Sequence, residues 1–216
     1  MTDRWREFQV RPGRTEERAT VGIVAAILGL ALAGLVLPVQ QWMMVGSSPS
    51  FAFQIWRPLA FAFTSAGLIN AAITSAVLYF MGRGLETVIG SANYLALFVL
   101  SGLGGATAMV VFGPAAALSG STCGLFGIIA GYAVHKYRHG EDVRPDIILL
   151  AFFIIWGITA GANDWTGDIG AIITGAFFGY VFSYSPWRDR ERRVTLAAIG
   201  IVSVCMVAVF AVWVYA

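Results

Sequence analysis

The chain has 216 residues, of which 58% are hydrophobic and only 12% are charged. Soluble domains carry about a quarter charged residues, so this composition excludes a soluble globular protein and indicates one that crosses the membrane several times. The net charge is +2, and the two cysteines, Cys123 and Cys205, lie inside apolar runs, so the sequence shows neither a disulfide framework nor a zinc pattern. We expect no metal and no cofactor.

Seven apolar runs follow a polar, arginine-rich stretch at residues 1–18, which is typical of a cytoplasmic tail. Residues 40–66, between the first two runs, are rich in Trp and Phe and carry one charge, so we expect them to lie in the membrane interface. The predicted spans are residues 21–39, 68–81, 94–112, 121–134, 147–158, 168–184 and 194–215. The predicted connections include a turn at 113–114, a charged loop at 135–146, a loop at 161–165 and a basic connector at 188–193.

The basic residues predict the orientation of these spans. If the N-terminus is cytoplasmic, 13 of the 14 lysines and arginines lie in cytoplasmic segments, and Arg57 alone lies outside. Because cytoplasmic loops are enriched in Lys and Arg, this bias predicts seven crossings with the C-terminus outside. Thr122 and Asp168, near the starts of the fourth and sixth spans, then lie at the same outer leaflet.

Glycines recur along the fourth span at a spacing that places them on one stripe of a helix. Small residues recur in the same way on the sixth span. Such stripes let two membrane helices approach closely, so we expect the fourth and sixth helices to touch. The stripes are Gly120, Gly124, Gly127 and Gly131 on the fourth span, and Gly167, Ala171, Gly175 and Gly179 on the sixth.

Five ordered motifs between Phe53 and Tyr180 resemble the rhomboid family of intramembrane serine proteases. The resemblance implies an all-α membrane protein with a six-helix core, here followed by a seventh C-terminal transmembrane helix. We divide the chain accordingly into a tail at 1–18, a core at 19–185 and a connector with the last helix at 186–216. The motifs are Trp56-Arg57, Gly82-Arg83-Gly84-Leu85-Glu86, Ser101-Gly102-Leu103-Gly104-Gly105, the run from Gly120 to Gly127, and the run from Asp168 to Gly175.

The catalytic positions implied by the resemblance are all changed. Thr122 stands where the family has its nucleophilic serine, Cys123 follows where it has glycine, and Asp168 replaces the histidine base. Asn70 and Thr74 occupy the positions of the histidine and asparagine that stabilise the oxyanion. An aspartate is a poor base for a hydroxyl group, so we expect no catalytic residue.

We therefore interpret the chain as a rhomboid-like pseudoprotease that binds or scaffolds other transmembrane proteins. The alternative is a divergent active protease that uses Thr122 or Ser121, and a weaker one is a carrier with Asp168 in an ion path. We predict that Cys123 points away from the old site. We also predict that Asp168 is partly buried and bonded by Asn70 and Thr122, although a solvated interfacial Asp168 is the alternative.

The remaining motif residues have structural interpretations. We expect Trp56 and Arg57 to anchor the interface, and Glu86 to bond backbone groups or Arg83 at the cytoplasmic end. The resemblance implies a lateral opening near the second and fifth spans that admits a client helix. The expected partners are the lipid bilayer and other membrane proteins, without nucleic acid, and the expected location is the bacterial inner membrane.

Overall fold

The computed structural model describes residues 18–46, 54, 56–112, 120–159, 165–185 and 189–215. These residues are helical throughout, apart from short connections. In chain order the helices are α1 (Arg18–Ala33), α2 (Val39–Met43), α3 (Trp56–Phe61), α4 (Leu68–Ile89), α5 (Ser91–Phe112), α6 (Gly120–Arg138), α7 (Arg144–Thr159), α8 (Trp165–Tyr184) and α9 (Arg190–Tyr215). The turn at 113–114, the loop at 161–164 and nearly all of the tail lie outside the described residues.

Seven of these helices are long and overlap the seven predicted spans, but α1 ends at Ala33, six residues before the predicted end of the first span at Val39. Three of the described helices, Leu68–Ile89, Ser91–Phe112 and Arg190–Trp213, are long and apolar enough by themselves to cross a membrane. Of the other four long helices, α1 and α7 are shorter, with 16 residues each, and α6 and α8 carry polar residues. Two short helices, α2 and α3, form within the predicted interfacial segment.

Other predicted boundaries were wrong because the helices continue into charged sequence, as at the start of α7, which begins at Arg144 inside the predicted charged loop. The helix α4 does not end at the Gly82 motif but runs to Ile89 and ends at Gly90, whose φ of 82° suits a glycine at a helix C-terminus. The helix α6 includes the first four residues of the predicted charged loop, and α9 begins inside the predicted connector. An apolar run shows only which residues lie in the hydrocarbon. The helical backbone continues beyond that run into the membrane interface, where charged side chains are solvated.

The helices α5, α6 and α8 form the centre of the bundle. In its most apolar stretch α5 is 61% buried, against 17% for α9, which lies at the periphery. Glycines set the close spacing at the centre: a Cβ added to Gly104 would collide with Thr174 of α8, and one added to Gly170 would lie 2.7 Å from the carbonyl oxygen of Gly104. The C-terminal end of α9 is joined to the segment after α2, because Trp213 Nε1 donates to Gly46 O at 3.1 Å.

Candidate functional site at the starts of α6 and α8

Asp168 lies in the first turn of α8 and is buried, with 8% of its surface exposed. The first turn of a helix favours a carboxylate because its backbone N–H groups carry partial positive charge. The thiol of the buried Cys123 on α6 donates to Asp168 Oδ1 at 3.8 Å, a distance suited to a sulfur donor. The predicted burial of Asp168 is confirmed, and a solvated interfacial aspartate is excluded.

A glycine of α5 makes room for this Cys123–Asp168 pair. A Cβ on Gly105 would lie 2.7 Å from Cys123 Sγ, which is closer than real side chains approach, and 3.0 Å from the carbonyl oxygen of Gly167, which is also a tight contact. On the same side, a Cβ on Gly167 would press against Met109 of α5, 3.0 Å from its sulfur. The pair is therefore enclosed where α5, α6 and α8 meet.

The prediction that Cys123 points away from the site was wrong. The face of α6 that meets α8 runs through Cys123, Gly127 and Gly131, which follow one another at intervals of four residues and therefore share one side of the helix. Thr122 lies about 100° around the helix from Cys123 and is only half-buried. The helix thus turns the cysteine, rather than the threonine, towards Asp168.

The predicted contact between the glycine stripes is confirmed for the inner part of both helices. A Cβ on Gly175 would lie 2.5 Å from Gly127 Cα, and one on Gly179 would lie 2.7 Å from Gly131 Cα. The outer glycines have other neighbours: Gly120 abuts the Phe61 carbonyl of α3, and Gly124 abuts the Phe98 ring of α5. The stripe on α6 therefore packs against three helices rather than one.

Thr64, from the connection before α4, holds the first turn of α6. Its hydroxyl accepts the Gly120 N–H at 3.2 Å, and its carbonyl accepts the Ser121 N–H at 2.8 Å. Ser121 is completely buried, and among the described residues its hydroxyl has no hydrogen-bond partner. The alternative nucleophile is thus in a closed environment, and no base contacts it within the described part of the chain.

Asn70 and Thr74 lie on α4, where the resemblance places the oxyanion residues. Thr74 is buried. The amide oxygen of Asn70 accepts a hydrogen bond from Ser65 Oγ at 2.8 Å. Asn70 thus bonds Ser65, in the connection before its own helix. We expected Asn70 to donate a hydrogen bond to Asp168, but the Cys123 thiol donates to it instead.

Trp56 and Arg57 occupy the start of α3 and have different surroundings. Trp56 is 59% exposed, as an interfacial anchor requires. Arg57 is buried, and its Nη1 donates to the carbonyls of Gln41 and Met44, each at 3.0 Å, while its Nε contacts the amide oxygen of Gln54. Because the last carbonyls of a helix have no partners within it, Arg57 joins α3 to the end of α2. Its role in the structure is internal rather than interfacial.

Glu86 is fully buried near the end of α4 and binds the start of α1. Its carboxylate accepts the backbone N–H groups of Ala19 and Thr20 at 2.9 and 2.8 Å, and the hydroxyls of Thr20 and Ser91 at 2.6 and 2.5 Å. These N–H groups belong to the first turn of α1, where the helix dipole favours a negative charge. The predicted bonding of Glu86 to backbone is confirmed; Arg83 instead contacts Tyr79.

Both histidines lie at the opposite end of α6 from Asp168. His135 Nδ1 is 3.1 Å from Ser183 Oγ, in the last turn of α8, whereas Asp168 is in the first turn of the same helix. Twelve residues of α6 separate His135 from Cys123, and fifteen residues of α8 separate Ser183 from Asp168, which correspond to about 18 Å and about 22 Å along the two helices. Neither imidazole can therefore act as a base at the candidate site.

Comparisons with known proteins identify the family of the chain. The Rhomboid domain model matches residues 52–185, and the chain therefore belongs to the rhomboid family and is a multi-pass integral membrane protein. It is 26% identical over 126 residues to the rhomboid protease GluP of Bacillus subtilis (strain 168), covering 56% of this chain but only 25% of that protein. It is 25% identical over 188 residues to rhomboid-like protease 3 of Toxoplasma gondii, covering 79% of this chain and 71% of that protein.

Proposed function

We propose that this protein is a rhomboid-family pseudoprotease, which binds or scaffolds other transmembrane proteins without cleaving them. The observation that carries the proposal is the Cys123–Asp168 pair, in which a thiol lies 3.8 Å from a buried carboxylate. The resemblance places the family's histidine at the position of Asp168. The two named relatives are a rhomboid protease and a rhomboid-like protease, so the proposal is that this chain has lost the proteolytic chemistry while it keeps the fold.

The pair is poorly suited to nucleophilic catalysis. A cysteine attacks as its thiolate, and a neighbouring carboxylate disfavours a second negative charge in the same buried space. Because Asp168 accepts the thiol proton in a hydrogen bond, it stabilises the neutral thiol. A histidine in that position would instead become an imidazolium and stabilise the thiolate.

The alternative of a divergent protease that uses Thr122 or Ser121 has no comparable support. Ser121 is buried without a hydrogen-bond partner among the described residues, and α6 turns Cys123 rather than Thr122 towards Asp168. A hydroxyl nucleophile needs an adjacent base to remove its proton.

The surfaces available to a partner are the apolar outer faces of the bundle. Val204 and Val207 of α9 are 70% and 69% exposed, and Ile69 and Phe80 of α4 are about as exposed. Lipid covers such faces in the membrane, and a partner helix replaces lipid when it packs there. The close glycine packing of α5, α6 and α8 supports a rigid body that presents these faces.

Photo-crosslinking in the native membrane tests the proposed binding. A photoreactive residue placed at Val204, Val207, Ile69 or Phe80 is expected to give a discrete protein adduct from at least one of the two helices. The matched control places the same residue at Ile173 of α8, which is also exposed and lies on neither of those two helices. Lipid adducts alone at all five positions would contradict the scaffold proposal.

The proposed topology is seven crossings of a bacterial inner membrane, with the N-terminus in the cytoplasm and the C-terminus outside. It is supported by the distribution of basic residues and by the seven long helices. The proposed division into a tail, a six-helix core and a seventh helix follows the same pattern, and the Rhomboid domain match ends at residue 185, where the proposed core ends.

A further inference from the structure

The two histidines of the chain lie together at the end of α6. His139 follows His135 by four residues, and its backbone N–H donates to the His135 carbonyl at 3.3 Å, so the two side chains stand one turn apart on the same side of the helix. Their ring centres are 4.3 Å apart, and the ring planes are inclined by 41°. His135 is half-buried and His139 is exposed, so solvent reaches this site. We refer to the two residues as the histidine pair.

Both rings use Nδ1 for contacts within the protein. His139 Nδ1 donates to the His135 carbonyl oxygen at 2.8 Å, so in the neutral ring the other nitrogen, Nε2, keeps a lone pair. His135 Nδ1 lies 3.1 Å from Ser183 Oγ, which can accept a hydrogen bond in the same way. Among the described residues neither Nε2 has a hydrogen-bond partner. Histidines that bind metals usually donate their second N–H to a protein oxygen, which fixes the tautomer and the ring orientation.

The spacing of the two rings fits a shared metal ion. An imidazole nitrogen binds a divalent transition metal at about 2.0–2.1 Å, which places the metal about 3.2 Å from the ring centre. Two rings whose centres are 4.3 Å apart then hold their nitrogens about 85° apart around one ion. Neighbouring ligands of a tetragonal or octahedral ion are about 90° apart, whereas zinc prefers the wider tetrahedral angle. The histidine pair therefore suits Cu²⁺ or Ni²⁺ better than Zn²⁺.

The charges near the histidine pair nearly cancel, so they do not exclude a cation. The segments 135–146 and 189–193 together hold six lysines and arginines and five acids. Charges of both signs act on His135, from Arg138 and Arg190 and from Glu141. The acids of the two segments are Glu141, Asp142, Asp146, Asp189 and Glu191. In the described part of the chain no third histidine, cysteine or acid completes a metal site with the pair, so water would fill the other positions around the ion.

We propose that the histidine pair binds one divalent transition-metal ion, Cu²⁺ or Ni²⁺ in preference to Zn²⁺, through the Nε2 atoms of both rings. Imidazole is a ligand that these metals favour. The helical spacing and the contacts of both Nδ1 atoms hold the rings in place before the metal arrives. The proposal departs from our expectation of no metal, which rested on the cysteines. On the proposed topology the site faces the cytoplasm.

Titration of the full-length protein with CuCl₂, NiCl₂ and ZnCl₂, in a neutral detergent and without a histidine tag, tests this site. Calorimetry measures the affinities, and electron paramagnetic resonance of the Cu²⁺ form counts the imidazole nitrogens on the metal. We expect one Cu²⁺ per chain with two such nitrogens. His139→Gln should weaken Cu²⁺ binding at least about tenfold, because the second imidazole acts at a high effective concentration once the first is bound.

A variant that combines His139→Gln with Tyr137→His is the matched control. It keeps two histidines but moves one to a different side of α6, at a position where the side chain is 71% exposed. It should therefore lose about as much Cu²⁺ affinity as His139→Gln alone. Both substituted residues are exposed, so circular dichroism should show wild-type helix content in both variants.

Several outcomes would overturn the proposal. Wild-type Cu²⁺ affinity in His139→Gln, or displacement of Cu²⁺ by an equal concentration of Mg²⁺, which prefers oxygen ligands, would place the ion on the nearby carboxylates. Wild-type affinity in the matched control would show that the spacing of the two histidines is irrelevant. A single imidazole nitrogen on the metal in the wild-type protein would reduce the site to an adventitious ion on one histidine. Tighter binding of Zn²⁺ than of both Cu²⁺ and Ni²⁺ would contradict the angle inferred from the ring spacing.

Discussion

Replacing Gly175 by alanine should destabilise the protein, although alanine is the better helix former. The added methyl group would lie 2.5 Å from Gly127 Cα and 2.7 Å from its carbonyl carbon. Both are backbone atoms of α6, so no side chain can rotate away and the two helices must separate. Overpacking of this kind costs about 1–3 kcal/mol, which exceeds the gain of about 0.5–1 kcal/mol expected from replacing glycine in a helix.

The same substitution at Gly200 of α9 provides the matched control. No atom lies within 4 Å of the position of an added Cβ there, so the helix-propensity gain should appear alone. The two variants should therefore change the free energy of unfolding in opposite directions. Unfolding by sodium dodecyl sulfate in mixed micelles, followed by circular dichroism, measures both. A Gly175→Ala protein as stable as Gly200→Ala would refute the close contact of α6 with α8.

Four further results are expected. Glu86→Ala leaves three donors of α1 and the Ser91 hydroxyl of α5 without their acceptor and should cost about 3 kcal/mol or more, whereas Glu141→Ala, at an exposed site, should unfold like wild type. Asp168→Ala should cost about 1–3 kcal/mol and Asp168→Asn less; wild-type stability in both would mean that the carboxylate contributes nothing to packing. Thr122→Ser combined with Asp168→His should restore little cleavage of a transmembrane substrate, because Cys123, rather than residue 122, lies on the side of α6 that faces α8. Efficient cleavage would contradict that orientation. A reporter fused after Ala216 should be active only outside the cytoplasm, and cytoplasmic activity would overturn the topology.

Apolar length and glycine spacing were sufficient to predict the long helices and the contact at the centre of the bundle. Hydrophobic runs of transmembrane length leave few alternatives to helix, and a stripe of small residues requires a close neighbour. The ends of α4, α6 and α9 were missed because a change in hydropathy records where the hydrocarbon ends, not where the backbone stops being helical.

The candidate site was predicted less completely. The positions of Thr122 and Asp168 followed from the resemblance, but we predicted Thr122, rather than Cys123, on the side of α6 that meets α8. The spacing of Cys123 from Gly127 and Gly131 was a signal that could have corrected this. The bonds of Glu86 to α1 and of Arg57 to α2 join segments distant in sequence, and no local pattern indicates such a partner.

The central claim is that the protein keeps the rhomboid fold without its proteolytic chemistry. The most direct measurement is cleavage of single-span transmembrane substrates by the purified protein in liposomes, with labelling by a covalent serine-protease probe in parallel. We expect neither cleavage nor labelling from the wild-type protein. Cleavage by wild type that disappears in Ser121→Ala, Thr122→Ala or Cys123→Ala would contradict the claim and identify the nucleophile.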